Sequence, residues 1–276
     1  DGRAAVGEVG DAQHGLELMG EYTRGDDRVH MCYAFEFLAR DQPDAARVAE
    51  VMTKVADVAR EGWPCWAFSN HDVMRHASRW ALSDAAARTY ATLIMCLRGS
   101  VCLYQGEELG LPEADVPFEA LQDPYGIEFW PEFKGRDGCR TPMPWAAQDE
   151  YAGFGAAQPW LPVSPEQAAL AVDRQEADPN AILHHYRRAV ALRGAHLALQ
   201  VGAMSDMVVD GATLSFIRSA GDHDIHCTFN LSDAQTPCPA LPAGTWTPLA
   251  QDMAAADLTQ PNLEGWQFRL ALRSKG

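Results

Sequence analysis

Segments typical of strands and segments typical of helices alternate along residues 28–195, and this alternation constrains the fold more than any other feature of the chain. The strand-like segments are short apolar runs, and the helix-like segments carry apolar residues three and four positions apart. Such alternation predicts a parallel β/α architecture, because a helix must return the chain before each new parallel strand. The predicted strands are 29–35, 63–69 and 101–105, and the predicted helices are 44–60, 83–98 and 180–196.

At about residue 200 the pattern changes to short strands, several of them separated by Pro and Gly turns, with no helix between them. This change predicts a small antiparallel β-sandwich domain over residues 199–276, following a β/α domain over residues 1–198. The β/α domain contains a Gly- and Pro-rich loop, residues 106–163, and a loop of this length within a compact domain usually has a functional role. The fold class is therefore α/β, with a second, all-β domain.

Composition narrows the possible partners. A net charge of −16 disfavours nucleic acid and anionic membranes and fits neutral ligands such as sugars, and no apolar run is long enough to predict a membrane span. The seven cysteines lack the spacing of a zinc or redox motif, so we expect reduced core thiols in a cytoplasmic protein, with no metal site and no cofactor in this chain. A disulfide between Cys227 and Cys238 stays open.

The most informative motif lies at the end of a predicted strand. Residues 64–75 form an apolar run that ends in Asn70-His71-Asp72, and active-site residues of a (β/α)8 barrel lie at the carboxyl ends of its strands. Without further context, an Asp at a helix start beside a His is common. The stretch closely resembles the fourth signature region of the α-amylase-type glycoside hydrolases. The resemblance implies that Asp72 stabilises the sugar transition state and that His71 binds a sugar hydroxyl.

A second carboxylate precedes this motif. Residues 5–11 read Ala-Val-Gly-Glu-Val-Gly-Asp and resemble the third signature region of the same family, which implies that Glu8 is the general acid/base. A Gly-Glu pair alone says little, so the assignment depends on its position about sixty residues before Asn70-His71-Asp72, with one β/α unit between. A general acid must hold a proton near neutral pH, so we expect Glu8 to be partly buried.

Two further segments point to a sugar pocket. Tyr33-Ala-Phe-Glu-Phe resembles the family's sixth strand, so Phe35 is expected either at the mouth of the pocket or in the barrel core. Arg136-Asp-x-x-Arg140-Thr-Pro-Met-x-Trp resembles the oligo-1,6-glucosidase and α-glucosidase branch, although arginines in such loops are usually solvated. The resemblance implies that Arg136 and Arg140 bind substrate, with Arg140 on the terminal glucose and its acidic partner outside this chain.

The chain accounts for only part of such an enzyme. A closed barrel has eight strands, and only three full strands and a remnant precede residue 199. The nucleophile of the family is an Asp in a Gly-Phe-Arg-x-Asp pattern, which does not occur here. We therefore expect the C-terminal half of a (β/α)8 TIM barrel, inactive alone and completed by the missing N-terminal half in the same polypeptide or a companion chain.

The resemblance implies part of a retaining α-glucosidase that removes terminal non-reducing α-linked glucose from short oligosaccharides through a covalent glucosyl-enzyme. Three alternatives stay open. The first is a transglucosylating or sucrose-isomerising relative. The second is a non-catalytic barrel homologue, such as the extracellular domain of the amino-acid-transporter heavy chains. The third is a carbohydrate-binding module. The preference for α-1,4 or α-1,6 bonds is also open.

Overall fold

The computed structural model describes residues 2–11, 14–25 and 27–275. Its first half contains a four-stranded parallel sheet whose strands follow one another in chain order. Gly7 lies opposite Cys32 in the register, and Ala34 lies opposite Trp66. The sheet thus has the parallel β/α arrangement predicted from the sequence. Its strands are β1, Val6–Gly7; β2, Met31–Ala34; β3, Pro64–Trp66; and β4, Ser100–Val101.

Helices connect and flank these strands. They are α1, Gly15–Thr23; α2, Ala45–Val58; α3, His76–Arg79; α4, Asp84–Cys96; α5, Pro124–Glu128; α6, Pro165–Ala168; α7, Val172–Ala177; α8, Ile182–Ala195; and α9, Leu197–Gln200. The helices α2 and α4 begin at side-chain caps: Asp44 accepts from Arg47 N at 2.7 Å, and Ser83 accepts from Ala86 N at 3.2 Å. Such caps satisfy backbone N–H groups that have no partner within the helix.

All three predicted strands are shorter than their apolar runs indicated. β2 spans Met31–Ala34 rather than residues 29–35. β3 ends at Trp66 rather than at residue 69, and β4 ends at Val101 rather than at residue 105. One further ladder contact joins Cys102 N to Trp66 O at 2.8 Å, after which the backbone turns, with Glu107 N donating to Tyr104 O at 2.9 Å. Apolar character therefore continues past the point where strand pairing stops.

The long loop 106–163 is packed rather than structureless. It contains α5 and several short helical turns, and the buried Arg75 ties it to the sheet. The guanidinium of Arg75 donates to Gln105 O at 2.7 Å and to Cys139 O at 3.0 Å, while its backbone N donates to Glu113 Oε2 at 2.8 Å. One residue at the start of α3 thus fixes both ends of the segment 105–139.

The second half of the chain is an antiparallel β domain. Five of its strands form one sheet in the order β5-β6-β7-β11-β9, and β8 pairs with β10. The predicted fold class, a barrel half followed by an antiparallel β domain, is therefore confirmed, while the division at residue 198 stays a prediction. These strands are β5, Ala203–Asp210; β6, Thr213–Ala220; β7, His223–Asn230; β8, Thr236–Pro237; β9, Thr247–Leu249; β10, Asn262–Leu263; and β11, Phe268–Ser274.

One apolar core runs through both halves, from Leu16 in α1 to Leu270 in β11. The fully buried Arg218 crosses between them and donates to Cys96 O at 2.6 Å and to Gly202 O at 2.9 Å. All seven cysteines are free, so the bridge left open between Cys227 and Cys238 is not formed. No helix in the described ranges is long and apolar enough to cross a membrane.

Candidate active site

The residues predicted to carry the chemistry follow the carboxyl ends of neighbouring strands. Glu8 comes directly after β1, Phe35 directly after β2, and Asn70-His71-Asp72 shortly after β3. Because these strands are parallel and adjacent in the sheet, their carboxyl ends lie along one edge. The fold therefore brings three separate sequence motifs to the same edge.

Asp72 is the centre of a polar cluster at this edge. Asn70 Oδ1 accepts from the backbone N of Asp72 at 2.9 Å and of Val73 at 3.1 Å, a short-range turn that fixes the chain direction. Asp72 Oδ1 accepts from Arg136 Nη1 at 2.9 Å and from Arg140 Nη2 at 3.0 Å, and its Oδ2 lies 3.4 Å from His71 Nε2. The Asp72 side chain is 39% exposed, so solvent or a ligand can still reach it.

Arg140 has an acidic partner within this chain: it binds Asp72, and it also donates through Nε to His71 O at 2.6 Å. The acidic partner expected from outside this chain stays a prediction. The loop 106–163 folds back over the end of β3. As a result, Arg140 contacts His71 and Asp72, which precede it in the chain by 69 and 68 positions. A guanidinium suits this double role because its donors have a fixed planar geometry.

Arg136 also binds a residue that the sequence analysis missed. The buried Asp123 accepts from Arg136 Nε at 2.8 Å and from Arg136 Nη2 at 3.0 Å. These hydrogen bonds lower the pKa of Asp123 to about 2, and they raise the pKa of Arg136. Asp137 in turn orients this segment by accepting from Gln122 N at 2.6 Å and from Asp123 N at 2.8 Å. Asp123 carries no local motif beyond its role at the start of α5, so only the folded loop reveals it.

Glu8 is exposed, contrary to the partial burial expected of a general acid. It follows β1, and β1 is the edge strand of the sheet in the part of the chain that the structure describes. Its charge acts on Tyr33, whose phenol lies 3.2 Å from Cys102 Sγ. That hydrogen bond and burial raise the pKa of Tyr33 to about 12, and the charge of Glu8 adds to the effect.

Phe35 lies at the same edge and is 37% exposed, whereas Phe37 is buried in the core against Trp66 and Phe68. A Cβ atom added at Gly10 would lie 3.7 Å from the Phe35 ring, so the segment after Glu8 passes close to this ring. Of the two positions expected for Phe35, the structure shows the exposed one at the strand edge.

A cavity of about 520 Å³ opens beside Asp72. Its volume falls within the range of about 300–1,000 Å³ that is typical of small-molecule sites. Among the described residues, no three His, Cys, Asp or Glu side chains are grouped as metal ligands would be. The lining residues that carry charge or an aromatic ring are Asp72, Glu113, Asp115, Glu132, Phe133, Lys134 and Arg136.

Comparison with known proteins places this site in a family. Residues 1–202 match the α-amylase catalytic domain family. A probable α-glucosidase of Rhizobium meliloti (strain 1021) is 57% identical over 234 residues, which are 83% of this chain and 42% of that protein. An oligo-1,6-glucosidase of Parageobacillus thermoglucosidasius is 29% identical over an alignment of 221 positions, which covers 71% of this chain and 39% of that protein. The chain thus spans about two fifths of the length of these relatives.

Solved structures agree with the sequence relatives. The α-glucosyl transfer enzyme XgtA is 40% identical and superposes with a TM-score of 0.89, covering 99% of this chain and 51% of that one. The trehalose-6-phosphate hydrolase of Bacillus licheniformis, at 21% identity and a TM-score of 0.80 over 98% of this chain and 56% of that one, shows the shared fold alone. With 202 of its residues matched and its strand-end motifs gathered at one edge, the chain belongs to the α-amylase catalytic domain family.

Proposed function

We propose that this chain supplies the C-terminal half of the barrel, and with it part of the active site, of a retaining α-glucosidase. The enzyme acts on terminal non-reducing α-linked glucose of short oligosaccharides. The observation that carries the proposal is the contact of Arg136 and Arg140 with Asp72 at the strand edge that also holds Glu8. The similarity to a probable α-glucosidase and to an oligo-1,6-glucosidase supports the choice of substrate.

In this proposal Glu8 donates its proton to the glycosidic oxygen as the bond to the anomeric carbon breaks. A nucleophilic Asp from the barrel half outside this chain then forms an ester with the anomeric carbon. In the second step Glu8, now ionised, removes a proton from water, and the water oxygen displaces the Asp carboxylate from the anomeric carbon. Because each of the two steps inverts that carbon, the product retains the original configuration. Asp72 stabilises the positive charge that develops on the sugar in both steps.

Arg140 and His71 would bind the sugar itself. The Arg140 guanidinium has a planar set of donors that suits adjacent sugar hydroxyls, and it contacts Asp72, which lines the cavity. Arg136 is fixed by the buried Asp123, so we assign it mainly to positioning Asp72. We propose that Phe35 lies at the pocket mouth in the completed barrel. We propose no metal and no cofactor for these steps, and we place the protein in the cytoplasm because its seven thiols are free.

Transfer of glucose to another sugar is the second candidate function. The similarity to an α-glucosyl transfer enzyme at 40% identity favours it. The two functions share the first step and differ only in whether water or a sugar hydroxyl attacks the glucosyl ester. The ratio of free glucose to longer products formed from maltose distinguishes them.

The test is the variant Glu8→Gln in the chain joined to the barrel half that completes it. Cleavage of maltose should fall by about 10²- to 10⁴-fold, because the leaving group is no longer protonated. An activated aryl α-glucoside should still glucosylate the enzyme, since its leaving group needs no proton. The matched control is Glu21→Gln, an exposed Glu in α1, which should leave both activities unchanged. Full activity of the Glu8 variant on maltose would remove Glu8 from the mechanism.

A further inference from the structure

The loop 106–163 carries a second cavity that shares no residue with the one beside Asp72. Its volume is about 550 Å³, again within the range of small-molecule sites. Residues 119–122 reach it from one side, and residues 147–163 form most of the remaining wall. The functional site described above makes no use of it.

An exposed indole dominates this cavity. Trp160 is 72% exposed, the largest exposed fraction among the large apolar side chains of the described residues. It is bracketed by Pro159 on one side and by Leu161, which is buried, on the other, followed by Pro162. Proline fixes its own backbone angle φ, and a buried neighbour anchors the chain, so the indole is presented on a rigid segment. A rigid aromatic ring loses little conformational freedom when a ligand stacks on it.

A strained turn carries a second aromatic residue, Tyr151, which lines the same cavity. Tyr151, Ala152 and Gly153 have φ angles of 50°, 51° and 70°, so three successive residues adopt the left-handed conformation. Residues other than glycine rarely adopt it, and such strain persists only where surrounding contacts enforce it. Here the backbone N of Trp145 and of Ala146 both donate to Ala152 O, at 2.8 and 2.9 Å. Tyr151, the first residue of this turn, lines the cavity together with Trp160.

Four polar side chains complete the lining, and they indicate the chemistry of the ligand. Glu119 and Asp149 offer acceptors, while Gln122 and Gln158 offer both donors and acceptors. No Lys, Arg or His lines the cavity, which disfavours phosphorylated or other anionic ligands. Sugar hydroxyls both donate and accept, so they match amides and carboxylates together, whereas an organic cation would leave the amide donors unused.

We infer that this cavity is a second saccharide site, in which a neutral gluco-oligosaccharide stacks on Trp160 and Tyr151. The choice of ligand rests on the proposed function, whereas the site itself is defined by its own residues. A sugar held here would keep an oligosaccharide close to the enzyme and raise the chance that it reaches the catalytic edge.

The test is a calorimetric titration of the chain with maltotriose, with choline as a competing probe. We expect saturable maltotriose binding that weakens about tenfold or more in Trp160→Ala and is largely restored in Trp160→Phe. Because the Trp160 side chain is exposed, its removal should not unfold the protein. The matched control is Phe129→Ala, an exposed aromatic residue of the same loop that lines neither cavity, and it should bind normally.

The double variant Asp72→Asn with Arg140→Ala separates this site from the proposed active site, and it should bind maltotriose with unchanged affinity. Equal binding by Trp160→Ala and the unaltered chain would overturn the inference, as would equal loss in Phe129→Ala. Binding of choline in place of maltotriose would also overturn it, in favour of a cation site. A final arm joins the chain to its completing barrel half and compares acrylamide quenching of its fluorescence with that of Trp160→Phe, because the chain has eight tryptophans. If the contribution of Trp160 is no longer quenched, the cavity is an internal interface and the inference is overturned.

Discussion

Asp123 and Arg136 form a two-point ion pair, with Nε 2.8 Å from Oδ2 and Nη2 3.0 Å from Oδ1. The remaining terminal nitrogen of the same guanidinium, Nη1, reaches Asp72 Oδ1 at 2.9 Å. The buried Asp123 carboxylate therefore orients Arg136, and Arg136 in turn contacts Asp72, the proposed catalytic carboxylate. Asp123 acts through Arg136 and is a positioning residue.

Replacement of this buried carboxylate tests its role. Asp123→Asn keeps the shape but removes the charge that fixes Arg136. We expect kcat of the completed barrel to fall about 10- to 100-fold, in line with the loss of other residues that orient a site, with KM changed much less. Stability should fall by about 1.5–3 kcal/mol, the range for hydrogen bonds to charged groups, as measured by urea unfolding. The control is Asp84→Asn, an exposed Asp paired with Arg88 and away from the cavity beside Asp72, and an equal effect in both variants would contradict the assignment.

The same ion pair predicts an acid limit to stability. The hydrogen bonds from Arg136 lower the pKa of Asp123 to about 2, below the ordinary Asp value of 3.8. A lowered pKa gives a contribution that is present above the unfolded value and is lost as pH falls through the folded value. The stability difference between the unaltered chain and Asp123→Asn should therefore shrink between about pH 4 and pH 2. A constant difference across that range would exclude the ion pair as its source.

Glu107 predicts the opposite dependence on pH. This carboxyl is 3% exposed and accepts from the Tyr186 hydroxyl at 3.2 Å, and burial raises its pKa from 4.5 to about 8. The folded protein therefore keeps a proton that the unfolded chain releases above about pH 4.5. Stability should fall as pH rises from about 4.5 to about 8, by up to ~1.4 kcal/mol per pH unit.

The variant Glu107→Gln isolates this effect, because the amide keeps the shape of the neutral carboxyl and does not titrate. The variant should gain stability over the unaltered chain as pH rises from about 5 to about 8, as measured by urea midpoints at each pH. Glu61→Gln, an exposed Glu, should show no such trend. If the urea midpoints of Glu107→Gln and of the unaltered chain change in parallel over this pH range, Glu107 is ionised in the folded protein.

The contacts of Arg75 predict that this residue secures the loop 106–163. Its guanidinium joins Gln105 O to Cys139 O and stacks 5.0 Å from the centre of the Tyr104 ring. Arg75→Lys keeps the charge but cannot make both contacts, so we expect a loss of about 2–4 kcal/mol and faster proteolytic cleavage within residues 106–163. Arg187→Lys, which alters an exposed ion pair, should leave the cleavage rate unchanged. Cleavage elsewhere first would show that Arg75 does not secure this loop.

Sequence patterns predicted local structure better than they predicted the contacts between loops. The caps Asp44 and Ser83 give local signals, and helices α2 and α4 begin within one residue of the predicted starts. Strand ends were less accurate, because pairing stops where the backbone turns and not where apolar residues stop. The family motifs identified Asp72, Arg136 and Arg140, and the structure brings these three together.

What the sequence could not predict is which of these residues meet. The contact between Arg140 and Asp72 joins residues 68 positions apart, and no periodicity encodes it. Asp123 lies 13 positions from Arg136, with the short helix α5 and a loop between them, so no spacing rule selects it. The exposure of Glu8 likewise depends on what packs beside β1, which is a property of the folded barrel.

The most direct test of the account measures glucose release from maltose by the chain joined to its completing barrel half, with and without Asp72→Asn. The account predicts that the unaltered enzyme releases α-glucose first, as retention requires, and that the variant folds normally but loses at least about 10³-fold in kcat/KM. Undiminished activity in Asp72→Asn, or β-glucose as the first product, would contradict it.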